Sequence, residues 1–340
     1  MERSTGELTG ASRPDGGGRQ TIEIIVPVYN EEAGLARFHE RLAGVVDRLP
    51  YAFSVCYVDD GSRDRSADVL ERIQEADRRV RVIHLSRNFG HQAALTAGLD
   101  QADTDAVITI DADGQHPPEL IGHMLELFLA GFDVVLTQRG DERGTPLLKR
   151  VTSRGFYRLL NLIGDTKLAP NAADFRLLSR EVVDALRRMP EYHRFLRGMI
   201  AWAGYPTAIV PFEAGPRLAG RSKYSMRKML RLAMDAVFSF SLVPLYVGVL
   251  LGVLFLALAG AEVVYVGSMW LSGGQDQLVP GWSSLMFMLL IVGGTVSTIL
   301  GIMGIYLGYI FQEVKRRPAY LRIQGRARVA DRDLSSDTEV

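Results

Sequence analysis

Between residues 21 and about 135, short apolar runs alternate with stretches whose apolar positions recur at helical spacing. "TIEIIVPV", "FSVCYVD", "RVIHLS", "DAVITID" and "FDVVLTQ" read as strands, because they are short, rich in Ile and Val, and too continuously apolar to expose one face to water. Helical patterns occupy 31–48, 64–78, 92–101 and 118–130. This strand–helix alternation predicts βαβ units, and so an α/β domain with a mostly parallel sheet. Ligands of such sheets bind beyond the carboxyl ends of the strands. Those ends are "PVYNEE", "DDGSRD", "SRNFGHQ" and "DADGQH", all polar and rich in glycine or carboxylate.

The pattern changes after about residue 238. "SLVPLYVGVLLGVLFLALAGAEVVYVGSMW" is apolar for roughly 25 residues, where a bilayer needs about 20, and Glu262 is its single formal charge. "WSSLMFMLLIVGGTVSTILGIMGIYLGYIF" follows, long and uncharged. Arg217, Arg221, Lys223, Arg227, Lys228 and Arg231 precede the first segment, and Lys315, Arg316, Arg317 and Arg322 follow the second. The connection 271–281 carries no Lys or Arg, and Trp270 and Trp282 bracket it. Two membrane spans are therefore expected in a cytoplasmic (inner) membrane, with the α/β domain and both termini cytoplasmic. Arg150, Arg154 and Arg158, and again Lys223, Arg227 and Arg231, recur every fourth residue among apolar ones, the pattern of basic helices lying on an anionic membrane surface. The expected division is a disordered tail at 1–20, the α/β domain at 21–222, an amphipathic juxtamembrane helix at 223–238, a transmembrane hairpin at 239–312, and a basic then acidic cytoplasmic tail at 313–340.

Composition narrows the function. A formal net charge of zero over 340 residues argues against a bulk nucleic-acid binder, and the single cysteine, Cys56, excludes an internal disulfide framework. The first twenty residues have no apolar core of a signal peptide. There is no G-x-G-x-x-G and no G-x-x-x-x-G-K-[ST], which argues against a dinucleotide oxidoreductase and a P-loop ATPase. Asp111 and Asp113, at the end of a core strand, suit a hard divalent cation, Mg²⁺ or Mn²⁺, with Gln115 able to add a neutral oxygen and phosphate and water completing the shell. His116 is better read as preceding a helix start at Pro117 and Pro118. A metal so held bridges a nucleoside diphosphate, and Tyr29, Glu31, Asp59 and Asp60 would then contact base and ribose.

"VPVYNEE", "VDDGSRD", "LSRNFGHQAALTAGLD", "DADGQHPPE", "ADFRLLSR" and "RLAGRSKYS" together resemble the polyprenyl-phosphate glycosyltransferases of glycosyltransferase family two, over about residues 21–311. The resemblance implies a GT-A fold and inverting transfer from a nucleotide sugar to a lipid phosphate at the cytoplasmic leaflet. It assigns Asp111 and Asp113, with Gln115, to metal and diphosphate, and Pro27, Tyr29, Glu31 and Asp60 to the nucleotide. Arg139, Lys149, Arg150 and Ser153 fall on the acceptor-phosphate segment. Arg217, Ser222 and Lys223 match "R-x-x-G-x-S-K", which closes over the diphosphate, and Asp174 stands where a catalytic acidic residue is suggested. Relatives also form tetramers through their membrane helices, and "GGTVSTILGIMG" is small enough to allow such packing.

Physical chemistry bears on these roles. A lipid monophosphate, with a second pKa of about 6, is largely dianionic at neutral pH and needs no general base. It needs cations, because it must approach a second anion. In-line attack on the anomeric carbon is therefore expected, with Lys223 and the metal at the leaving diphosphate and Arg139 at the acceptor. Asp174 would orient Arg176, the acceptor or the sugar, or else cap the helix "SREVVDAL". "YHRFLRGMIAWAGY" reads equally as a mobile acceptor loop or as a helix packed on the sheet. UDP-glucose is the favoured donor; GDP-mannose, UDP-N-acetylglucosamine and an aminoarabinose donor fit the same pattern. A processive polysaccharide synthase would need Q-x-x-R-W and more spans, and a non-catalytic membrane-binding subunit would not need the acidic and basic motifs intact.

Overall fold

The computed structural model describes residues 19–140, 172–189, 191, 194–213 and 281–323, together with separate helical positions between 245 and 271. Lys149, Arg150, Ser153, Arg217, Ser222 and Lys223, both basic amphipathic helices, the tail 1–18 and the residues beyond 323 lie outside the described residues. All five strands expected from the apolar runs are present: β1 (Thr21–Val28), β2 (Ala52–Asp59), β3 (Val80–His84), β4 (Ala106–Thr109) and β5 (Val134–Arg139). Two more, β6 (Ala172–Ser179) and β7 (Thr207–Phe212), complete a seven-stranded sheet ordered β3-β2-β1-β4-β6-β5-β7. Every neighbouring pair is parallel except those made by β6, which runs antiparallel to both β4 and β5.

β1 is buried from Ile22 to Val28 and β4 throughout, as central strands with both faces covered must be. On one face lie α1 (Leu35–Val46), α2 (Ser66–Ala76) and α4 (Ile121–Leu129). Their apolar stripes, Leu35, Phe38, Leu42 and Val46 on α1 for example, join Ile22, Ile24 and Val26 of β1 in one core. The opposite face of β1 meets α3 (His91–Leu99), where the backbone of Gly98 abuts Ile25. α5 (Arg180–Arg188) is capped by Ser179, whose hydroxyl accepts from Val182 N–H, and α6 (Leu196–Ala203) ends on Gly204 in the left-handed conformation. Asp174 is thus not a helix cap: it lies inside β6, and Ser179 does the capping. The segment "FLRGMIAWAG" is helical, as one of its two readings required.

By its contacts the chain falls into two units, one holding the sheet together with residues 318–323 and the other holding α7 (Trp282–Val314, 33 residues). Within α7 the stretch Ile291–Val314 has a mean hydropathy of 1.7 and is unburied, and it is the one helix among the described residues long and apolar enough to cross a membrane. It corresponds to the second expected span. The first falls largely outside the described residues, although its described positions are helical.

Gly98 supplies a test of the α3–β1 packing. A Cβ there would stand 2.4 Å from Cγ2 of Ile25, a β-branched side chain that cannot swing aside. Gly98→Ala should destabilise the domain by about 1–3 kcal/mol in denaturant unfolding, and the double variant with Ile25→Ala should cost less than the sum of the two single changes, because the clash is gone. Cys56 is wholly buried, and burial pushes its thiol up to about 12. It should resist alkylation at pH 8 in the native protein and react once the protein is denatured.

Candidate active site

β1 and β4 pair only as far as Ile25 and Thr109, and the last bond between the two strands is Ile110 N–H to Ile25 O. Beyond this point the two strands separate, and Pro27 has no N–H with which to continue a ladder. A crevice at the carboxyl ends of strands leaving in opposite directions is where α/β sheets bind ligands.

On the β4 side, burial alternates along residues 111–116. Asp111, Asp113 and Gln115 are partly exposed, while Ala112, Gly114 and His116 are buried. Gly114 adopts φ 76°, and Gln115 N–H donates to Asp113 Oδ1 at 3.0 Å, so the turn is internally fixed. His116 packs at 5.6 Å on Phe175 and takes Asp111 N–H onto Nδ1 at 3.4 Å, acting as a prop beneath Asp111. The donor set is hard oxygen. Among the described residues no group of three or more His, Cys, Asp or Glu could hold a metal ion. A divalent cation held by so few protein oxygens would have to take most of its ligands from phosphate and water.

The reversal of β6 determines what faces Asp111. Thr109 pairs with Arg176, and continuing that antiparallel register two residues sets Asp111 opposite Asp174. Thr109 Oγ1 donates to Asp174 O, anchoring the crossing. Two carboxylates so placed would repel one another, and cations separate them. Arg176, itself buried, donates to Asp174 Oδ1. Arg197 of α6 clasps Asp174 with both Nε (3.1 Å) and Nη2 (2.9 Å). His91, the first residue of α3, places Nε2 3.4 Å from Asp174 Oδ2 and 3.5 Å from Asp111 Oδ1. Burial opposes ionisation of Asp174, but Arg176, Arg197 and His91 outweigh it and hold the carboxyl well below its ordinary range. Burial likewise opposes the charged form of His91, yet Asp111 and Asp174 raise it to about 9. Asp174 is therefore an anionic hub for three cations and is poorly placed to accept a proton. The buried Nε of Arg176 has no partner among the described residues.

His91 does not stand out in the sequence as a site residue, and Arg197 does so only as part of a stretch that reads equally as an acceptor loop or a helix. His91 is put in place by Asp60, whose carboxylate accepts from Phe89 N–H (2.7 Å), Gly90 N–H (2.9 Å) and Asn88 Nδ2 (2.9 Å). Gly90, at φ 103°, then turns the chain into α3. Asp59 is also directed inward, accepting from Ser62 N–H at 2.9 Å and facing His84 Nδ1 at 3.1 Å. Both carboxylates proposed for base and ribose thus also build the loops around the crevice. Tyr29 and Glu31 follow β1 and are half-buried. Between them Asn30, at φ 54°, takes Arg63 N–H onto Oδ1 at 2.8 Å and gives its own N–H to Ser62 Oγ at 3.1 Å. Glu31 N–H donates to Ser66 Oγ at 2.8 Å. The β1–α1 and β2–α2 loops are latched to one another. Arg139 ends β5, half-buried, in register with Phe212 of β7.

Comparison with known proteins places this geometry in context. Residues 23–187 match the family model described as glycosyl transferase family 2. An uncharacterized glycosyltransferase of Synechocystis sp. is 39% identical over 300 residues, covering 88% of this chain and 94% of its own. One from Bacillus subtilis is 40% identical over 299 residues, covering 88% and 92%. A prophage-derived bactoprenol glucosyl transferase of Shigella flexneri is 37% identical over 305 residues, covering 88% and 96%.

Removing the charge of the hub should expose its structural weight. Asp174→Asn leaves the buried Arg176 without the carboxylate it contacts and should destabilise the protein by about 3–5 kcal/mol, measured by denaturant unfolding at neutral pH. The depressed carboxyl contributes stability that is present above the ordinary carboxylate range and lost as pH falls through its lower folded value. The gap between wild type and Asp174→Asn should accordingly narrow on acidification.

Proposed function

This chain belongs to glycosyltransferase family 2, and from that premise we propose that it transfers a hexose, glucose by preference, from a nucleoside-diphosphate sugar to a polyprenyl phosphate, with inversion, at the cytoplasmic face of a membrane. The observation that carries the reading is the state of Asp174. A hydroxyl acceptor needs a base, and Asp174, opposite the strand-end carboxylate, is committed to Arg176, Arg197 and His91. A phosphate dianion needs no base and gains from a cationic surround. Two further facts support it: α7 has the length and hydropathy of a membrane span, and a relative covering most of the chain carries the name bactoprenol glucosyl transferase. Mannose, N-acetylglucosamine and aminoarabinose donors are the alternatives in the same reaction.

In this scheme the donor lies in the crevice between the ends of β1 and β4, with Pro27, Tyr29, Glu31, Asp59 and Asp60 around the nucleotide. Asp111 and Asp113, with Gln115, would hold Mg²⁺ or Mn²⁺, which when bound supplies positive charge to the departing diphosphate. A phosphate oxygen of the acceptor forms the new bond to the anomeric carbon as the bond to the diphosphate breaks, and the electron pair leaves with the nucleoside diphosphate. No proton moves. Arg139, with Lys149, Arg150 and Ser153, holds the acceptor phosphate, and Arg217 and Lys223 stabilise the leaving group. Arg176, Arg197 and His91 keep the floor of the site cationic while Asp174 fixes their positions. The proposed assembly is a membrane-held homo-oligomer, a tetramer by analogy with related enzymes.

Purified protein given undecaprenyl phosphate, Mn²⁺ or Mg²⁺ and a panel of radiolabelled nucleotide sugars should move label into the lipid phase, most from UDP-glucose. No transfer from any donor would overturn the reading. Asp113→Asn should abolish transfer while leaving the protein in the membrane fraction. Arg139→Glu should raise the acceptor KM by at least about tenfold, the scale of a lost charge-assisted phosphate contact, with a much smaller change in donor KM.

A further inference from the structure

β3 is an edge strand of the sheet, and an unpaired edge is a docking template. Here the chain covers it with its own residues. Leu85 and Arg322 form an antiparallel bridge, Ser86 N–H donates to Leu321 O at 2.8 Å, and Ile323 N–H donates to His84 O at 2.9 Å. Side chains reinforce the seat: Tyr320 OH donates to Asp100 Oδ2 at 3.2 Å, and Arg322 donates to Gln101 Oε1 at 2.7 Å. Asp100 and Gln101 follow the C-terminus of α3, the helix whose first residue is His91. Burial and the adjacent Asp100 push the Tyr320 phenol up to about 12, so this hydroxyl stays a donor throughout the physiological range.

This short segment touches the structure at the points that shape the crevice. His84, whose carbonyl receives Ile323, faces Asp59 through its ring, and Asp59 holds Ser62 N–H. Ser62 holds Asn30, and Asn30 holds Arg63. Leu321 holds Ser86, the start of the loop whose far end, Phe89 and Gly90, is gripped by Asp60. Hydrogen bonds therefore run without a break from residues 321–323 to the β1–α1 and β2–α2 loops.

We propose that residues 320–323 form a strap whose bonds to the β3 edge position the nucleotide-binding loops, making Tyr320, Arg322 and the N–H of Ile323 positioning groups for the donor. They act through His84, Ser86 and the end of α3 and touch no substrate. The inference rests on the nucleotide site of the preceding section. It also gives the residues after α7 a purpose distinct from anchoring: they set the affinity of the soluble substrate and leave the lipid side unaltered.

The test uses the full-length protein in detergent, with UDP and GDP in the presence of Mn²⁺ as probes in calorimetric titrations, and with acceptor KM and thermal midpoint measured in parallel. Tyr320→Phe removes one hydroxyl, Arg322→Ala one ion–dipole contact, and Ile323→Pro the backbone donor. For Arg322→Ala and Ile323→Pro the Kd of the nucleotide that wild type binds should rise by about tenfold, the scale of a small displacement in a preorganised site. The acceptor KM should stay within about twofold, and Arg322→Lys should recover most of the loss. If wild type binds neither nucleotide, the donor-site reading itself fails. If wild type binds and the variants bind equally well, or donor and acceptor constants worsen together with the thermal midpoint, the strap has no positioning role. Arg322→Ala, with its rescue by Arg322→Lys, decides the matter should Ile323→Pro fail to fold.

Discussion

Asp174, its side chain only 11% exposed, accepts from the buried Arg176 and from Arg197 and His91 at the rim, and much of the candidate site depends on that arrangement. An isolated carboxylate or guanidinium at such depth would be strongly unfavourable, so each holds the others in place. The three cations come from three elements: β6, α6, and the helix that follows β3. One carboxylate thereby registers distant parts of the chain against the end of β4, where Asp111 stands. The outcome is a floor whose charge is set before any ligand arrives, the condition under which electrostatic stabilisation is most effective.

The parallel part of the fold was legible because buried strands have little choice of composition. "TIEIIVPV" and "DAVITID" could not face water, and the polar ends that follow them mark the ligand edge of the sheet. β6 was harder to see. "AADFRLLS" carries Asp174 and Arg176 on either side of Phe175, a pattern normally assigned to a surface, and only their mutual neutralisation allows the strand to be central. β7 was masked by Pro211 and by an alternation in which Ile209 is exposed, as suits an edge.

The candidate chemistry divides in the same way. Asp111, Asp113 and Gln115 announced themselves by ending a core strand with oxygen donors, and they do share the partly exposed side of their turn. His91 and Arg197 could not be found by spacing, because their meeting depends on the inverted strand and on a loop held by Asp60. Asp59 and Asp60 show the complementary limit. A sequence marks them as acidic groups near a ligand, but not that their oxygens already receive hydrogen bonds from the chain itself.

The inverted strand has one more consequence, and it concerns the order of folding. β6 separates β4 from β5, so those two cannot zip together when β5 emerges, and β5 must await a partner made later. Pairing between residues near 108 and 177 spans a long stretch of sequence, and contacts of that kind form slowly because a large loop must close first. The β1–β4 portion can assemble from local crossovers, yet it holds neither Asp174 nor the arginines. An immature chain would thus hold Asp111 and His91 without Asp174, Arg176 and Arg197, and the charge cluster would be complete only once β6 and α6 have docked.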